Sequence, residues 1–200
     1  MGLLSLAIWT PIIFGVLLLA FGKDSCARGV RWVALIGSIL GLLVTVPLIT
    51  GFDTTSANMQ FVEKFMWIER FSIQYHLGLD GLSMWFVPLT AFITVIVVLA
   101  SWENITERVN QYMGAFLVLS GLMIGVFCAL DGLLFYVFFE ATLIPMYLII
   151  GIWGGPNKIY AAFKFFLYTL MGSLLTLVAI IYLYNQSGGS FDILTWHKLP

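Results

Sequence analysis

The stretch LLFYVFFEATLIPMYLIIGIW, Leu133–Trp153, decides how this chain is read. A run of roughly 20 mostly apolar residues is long enough to cross the hydrocarbon core of a bilayer as a helix. Inside the run stands Glu140. A charged group at such depth costs from about 2.5 to more than 10 kcal/mol, so its first reading is a proton or ion path. At about 1.5 Å per residue, Glu140 lies roughly 10 Å from the start of the run. Its short side chain cannot reach the surface. It needs a cation, water or another polar group inside the protein. Held between burial and a neighbouring positive charge, the carboxylate can take and release a proton. The rival reading is a structural ion pair that fixes helix packing.

The rest of the chain has the same character. Of its 200 residues 61% are hydrophobic and 10% charged, with mean hydropathy +1.02, a balance foreign to soluble domains. The formal net charge of −1 offers nothing to nucleic acid. Six windows are long and apolar enough to span: Leu3–Phe21, Val30–Thr50, Leu82–Ser101, Tyr112–Leu130, Leu133–Trp153 and Ile159–Tyr184. The expected fold is an all-α polytopic transmembrane helix bundle. Asp131-Gly132 reads as a tight turn between the fourth and fifth windows, and Gly154-Gly155-Pro156-Asn157 divides the fifth from the sixth. No Lys or Arg precedes Lys23, so the N-terminus reads as a retained first helix rather than a signal peptide.

A second intramembrane charge, Lys164, lies in the sixth window. Tyr160 and Tyr168 stand four residues to either side of it, on one helical face. This stripe reads as wet or facing protein, although a lysine about 9 Å deep can also extend its stem to the interface. By depth Glu140 and Lys164 are offset by several Å, so water could join them where a direct bridge does not. Pro145 removes the helix bond of the Ala141 carbonyl. It serves either to kink the helix or to leave a place for water beside Glu140. Asp131, Glu103, Glu107 and Asp192 read as solvated end or loop residues, and Asp80 as a cap for the third helix. No metal-ligand spacing, phosphate loop or nucleophile–base pair is present.

Residues 51–81 form the one sizeable loop. Phe71, Ile73, Tyr75 and Leu77 alternate with Ser72, Gln74 and His76, the pattern of a strand with one buried face. Phe65-Met66-Trp67-Ile68 could pair with it across Glu69-Arg70. His76 reads as a solvated or interface residue. Cys26 and Cys128 have no evident way to meet, and Cys128 reads as small packing filler. Gly37-x-x-x-Gly41 and Gly121-x-x-x-Gly125 would allow close helix approach.

Positive charge sets the orientation. Lys23, Arg28 and Arg31 follow the first helix, Arg108 the third and Lys158 the fifth, against Lys64, Arg70 and Lys198 on the other side. The bias places the N-terminus outside and the first loop in the cytoplasm.

The blocks FYVFFEATLIPMYLIIGIWG at Phe135–Gly154, AAFKFFLYTLMGSLLTL at Ala161–Leu177 and LGLDGLSMWFVPLT at Leu77–Thr90 closely resemble the M-type (chain 4-type) antiporter-like membrane subunit of respiratory complex I. A related membrane component of multisubunit cation/proton antiporters is similar as well. The resemblance implies proton translocation driven by NADH oxidation and quinone reduction in other subunits. It places Glu140 in the conducting machinery and Lys164 on the same polar axis, with Pro145, Tyr160 and Tyr168 in support. It implies no cofactor or metal in this chain, with NADH, FMN, iron–sulfur clusters and quinone elsewhere. The implied partners are neighbouring membrane subunits and the lipid bilayer, in a bacterial inner membrane rather than a mitochondrial one. Fourteen helices are implied, so the 200 residues would be an N-terminal portion ending before the broken seventh helix. Residues 1–111 would hold three leading helices with the external loop 51–81. Residues 112–184 would begin a translocation repeat, and residues 185–200 would be an external loop.

Reporter fusions test the orientation. Fusions at Arg28, Arg108 and Lys158 should read cytoplasmic, and those at Gln60 and Gln186 external. A cytoplasmic reporter at Gln60 would reverse it.

Overall fold

A computed structural model describes residues 2–22 and 26–199; Lys23, counted above for orientation, lies outside them. Six helices are long and apolar enough to cross a membrane. They are α1 (Leu3–Phe21), α2 (Ala27–Thr50), α3 (Ser83–Asn104), α4 (Val109–Cys128), α5 (Gly132–Trp153) and α6 (Lys158–Gln186), with a short α7 (Ile193–Trp196) after them. Most run a few residues past the apolar windows, because helical hydrogen bonding continues through polar residues at the ends. Strands β1 (Gln60–Ile68) and β2 (Ile73–Leu79) form an antiparallel hairpin between α2 and α3.

The centre of the bundle is the crossing of α1 and α4. A Cβ built on Gly15 would stand 2.7 Å from the Gly114 carbonyl oxygen, and one on Gly114 2.9 Å from that of Gly15. Without side chains there, the two backbones meet directly. Gly121 repeats the device one layer on, against the Ile8 carbonyl. Gly37 gives α2 room for the Phe14 ring, whereas Gly41 makes only ordinary contact with Pro11. Leu4, Ile8, Leu117 and Ile124 are fully buried around this crossing. Helix α6 lies at the margin, with only Ala162, Ser173 and Ile180 buried.

The segment around Phe65–Ile68 does pair with the alternating one, Phe65 opposite Tyr75 and Ile68 opposite Ile73, but Phe71 falls in the turn and is exposed rather than in the strand. Ser72 closes the turn with φ +54°. A second expectation fails: β2 is covered on both faces. The α4–α5 link is an extended segment rather than a tight turn. Leu130 N–H donates to the His76 carbonyl at 2.8 Å, and Leu77 bridges Ala129. On its other side, Gly132 N–H donates to Phe191 O and Ile193 N–H to Leu130 O. The link is therefore a third strand-like layer between β2 and the chain around residue 192. His76, read above as solvated, is only 4% exposed, and Asp131, read the same way, is 2% exposed. Glu103 and Glu107 are solvated as expected, and Cys128 is a free, fully buried thiol.

Helix ends leave backbone N–H groups without partners, and here acids supply them. Asp131 Oδ1 accepts from Leu133 and Leu134 N–H at the head of α5. Glu63, buried on β1, accepts from Leu4 and Ser5 N–H and from the Ser5 hydroxyl, tying α1 to the hairpin. Asp80 Oδ1 accepts from Leu82 and Ser83 N–H ahead of α3. Those two bonds hold the Asp80 carboxyl below the usual carboxylate range, the Ser83 N–H contributing most.

Glu63→Ala should destabilise the protein by about 1–3 kcal/mol, since it strips two buried N–H groups and a hydroxyl of their acceptor. Denaturant unfolding in detergent measures it. A change under about 0.5 kcal/mol, the level of an ordinary surface substitution, would overturn the clamp.

Candidate functional site

Helix α5 presents two faces. Leu134, Phe138 and Pro145 are buried on one, with Phe138 seated over Gly125 of α4, while buried Leu143 stands by helical pitch beside Tyr136 on the other. Tyr136, Glu140 and Tyr147 follow helical spacing on that second face. There Tyr147 meets Phe163 and Phe166 of α6 edge to face. Glu140 is half-buried, and its Oε1 is buried without a hydrogen-bond partner among the described residues. Tyr136, one turn before it, has Glu140 and Ser173 as polar neighbours.

Axial position explains which residues meet. Glu140 stands 13 residues before Trp153, about 20 Å from that end of α5. Ser173 stands 15 residues after Lys158, about 22 Å into the antiparallel α6 and thus level with Glu140. Lys164 is only about 9 Å into α6. Its direction differs as well. Ala162 packs toward Gly151 of α5, and a residue two positions on points roughly 200° around the helix. Lys164 is accordingly exposed, as are Tyr160 and Tyr168, 69% and 85% respectively. The three do share a face, and Lys164 Nζ lies 5.8 Å over the Tyr160 ring. Among the described residues Lys164 forms no ion pair with Glu140.

Pro145 points elsewhere again. Helix α5 runs unbroken through it, and it lines a cavity of about 390 Å³ with Leu19, Gln111 and Ala115, on the side of α1 and α4.

The structure adds polar groups that sequence reading did not select. Tyr136 was within reach, since it sits at i−4 from Glu140. Ser173 was not, because its depth counts only once α5 and α6 are set antiparallel. At the hairpin end, Asp131, His76, Asp192 and Lys64 form a cluster from four separate segments. Asp192 Oδ2 lies 3.9 Å from both His76 Nδ1 and Lys64 Nζ. Asp131 Oδ2 accepts from Gln74 N–H, and burial pushes its carboxyl upward against its three N–H bonds. Burial likewise holds the His76 imidazole below its ordinary value, only partly offset by Asp192.

The double mutant cycle Glu140→Gln with Lys164→Met reads this separation. The coupling in unfolding free energy should stay below about 0.5 kcal/mol, as for side chains out of contact. A coupling above about 1 kcal/mol would restore the structural ion pair.

Residues 6–129 match the family described as NADH-ubiquinone oxidoreductase chain 4, amino terminus. Residues 129–198 match the one described as NADH:quinone oxidoreductase/Mrp antiporter, TM. The chain is 48% identical to NADH-quinone oxidoreductase subunit M of Rhodobacter capsulatus, over 96% of this chain and 38% of that one. It is 45% identical to NADH-ubiquinone oxidoreductase chain 4 of Arabidopsis thaliana, over 88% and 36%. It thus spans about two fifths of the length of these curated relatives. Among solved structures, a chain of respiratory complex I from Thermus thermophilus with bound NADH superposes with TM-score 0.84 and 31% identity, over 98% of this chain and 39% of that one. A chain of the Mrp complex from a Dietzia species gives TM-score 0.77 at 19% identity, over 94% and 20%, a likeness of fold alone.

Proposed function

The chain belongs to the NADH-ubiquinone oxidoreductase chain 4 family, and we propose that it acts as part of a proton-translocating membrane subunit of NADH:quinone oxidoreductase. The observation that carries this reading is Glu140: a carboxylate inside a membrane-spanning helix, one oxygen buried and without a partner among the described residues. A structural acid would spend both oxygens on fixed donors, as Asp131 does. An acid that loads and unloads a proton keeps one oxygen free.

On this reading the proton arrives at a Glu140 oxygen from water or a polar neighbour and leaves from the same carboxyl when nearby charges shift. Tyr136 and Ser173 are the described groups placed to hand it on, each able to give and accept a hydrogen bond. Lys164 and its two tyrosines act from the outer face of α6, toward whatever covers that face in the assembled complex. Pro145 helps to set α5 against α4. NADH, FMN, iron–sulfur clusters and quinone belong to other subunits, and the membrane is the bacterial inner one with the N-terminus outside. A second reading is a component of a multisubunit cation/proton antiporter, which the shared family description of residues 129–198 favours. Proton uptake dependent on NADH oxidation, and indifferent to sodium or potassium, separates the first from the second.

Glu140→Gln keeps shape and hydrogen bonding but cannot ionise. In the assembled complex it should lower NADH-driven proton uptake by inverted vesicles by at least about tenfold, the scale of losing an acid–base group. Assembly should be intact on a native gel, because a costly charge has been removed. Glu140→Asp should keep part of the activity. Wild-type pumping by an assembled Glu140→Gln complex would sink the proposal.

A further inference from the structure

Helices α1 and α5 flank α4 and leave a groove between them. Gln111, Ala115 and Val118, spaced by four and three residues along one strip of α4, form its floor. Leu19 of α1 and Pro145 and Leu148 of α5 stand as its walls, around a cavity of about 390 Å³. The same strip of α4 goes on to Leu122, which with Ala141 of α5 lines a second apolar cavity of about 600 Å³. The groove therefore has the length as well as the width for a long apolar guest. An apolar cavity of this kind stays dry and takes such a guest.

The end of the groove beside Gln111 is basic. Arg108 stands one turn before Gln111 on the same strip and is exposed. Lys158, at the start of α6, sends its Nζ to the Ile152 carbonyl at 2.6 Å, and Ile152 belongs to the cavity wall. Trp153, also on that wall, donates its indole N–H to the Glu107 carbonyl at 2.9 Å and ties the α3–α4 loop to this end. The Glu107 side chain stays exposed in the loop. Among the described residues neither Arg108 nor Lys158 enters an ion pair. A basic mouth between spanning helices suits an acidic lipid headgroup, and an indole suits the level of the headgroups. A partner helix fits this groove less well. Close helix packing uses small residues, as Gly15 does against Gly114, and the lining here offers Ala115 alone among longer side chains.

We propose that this groove is the seat of one anionic phospholipid, its phosphate at Arg108 and Lys158 and an acyl chain along Ala115, Val118 and Pro145. The guanidinium offers the phosphate a planar fork of donors, and the ammonium a point charge with donors to spare beyond its bond to Ile152. The chain below restores the dispersion contacts that an empty cavity forfeits. The seat does not depend on what Glu140 does, yet it bears on the helix that carries it. Ile144, one turn after the acid, and Pro145 both line the cavity, so the lipid fills the space between α5 and α1 that protein leaves open.

The test uses the assembled complex reconstituted in phosphatidylcholine vesicles. Trace phosphatidylglycerol with a diazirine in its acyl chain is photolysed there, and phosphatidylcholine with the same chain is run in parallel. Peptide mass spectrometry counts the adducts on residues 115–118 and 144–148 as a share of all adducts on this chain. That share should be at least about threefold higher with the phosphatidylglycerol probe, and should fall to the phosphatidylcholine level in Arg108→Gln/Lys158→Gln. If the double variant fails to assemble, Arg108→Gln alone and an excess of unlabelled phosphatidylglycerol on the unchanged complex replace it, each lowering the share at least about twofold. Equal shares for the two headgroups mark an ordinary boundary lipid and overturn the seat. A preference that survives both the loss of the cations and the competing lipid overturns it too. So does a groove that takes no label while the rest of the chain is labelled, the result expected if a protein partner covers it.

Discussion

Asp131 gathers three backbone N–H groups, those of Leu133 and Leu134 at the head of α5 and that of Gln74 in β2. In an apolar setting an unpaired N–H costs several kcal/mol, so these bonds leave little freedom in where α5 begins. The start of α5 sets the depth of Glu140, and the tie to β2 sets the hairpin against the bundle. The α4–α5 link, held between β2 and the residues around Asp192, extends the same joint to the far end of α6. One carboxylate thus couples the hairpin, the helix that carries Glu140, and the segment around Asp192.

The acids divide by how their oxygens are used. Asp131 and Glu63 spend theirs on fixed backbone donors at helix starts, where the helix dipole also favours negative charge. Glu140 sits mid-helix, where backbone N–H groups are already bonded within the helix, and keeps an oxygen without a hydrogen-bond partner among the described residues. The contrast is the physical basis for treating the first two as joints and the third as chemistry. His76 resembles Glu140 rather than the joints, since its buried Nδ1 too has no hydrogen-bond partner among the described residues.

Helix α6 shows the other side of the constraint. Its buried residues are few, and Tyr160, Lys164 and Tyr168 stand on the exposed face. A lysine near a helix end can keep its ammonium wet by extending its stem. The same Lys164 deeper in α6 would need a fixed anion. Its distance in depth from Glu140 is what separates the two charges.

From the sequence alone, the six spanning helices, the existence of a hairpin in the loop 51–81 and the oddity of Glu140 were legible, because each depends on local pattern: window length, alternation, and one charge in an apolar run. The family likeness was legible in the blocks around Glu140 and Lys164. The burial of His76 and Asp131 was not, because it comes from three segments distant in sequence closing on one another at the hairpin end. Nor was the separation of Glu140 from Lys164 fixed, since one sequence offset suits both a bridge and a miss. Only the antiparallel setting of α5 on α6, through Ala162 against Gly151, turns Ser173 toward the acid's level and Lys164 away. Helical pitch assigns each residue a direction relative to its own helix; tertiary packing decides what lies in that direction.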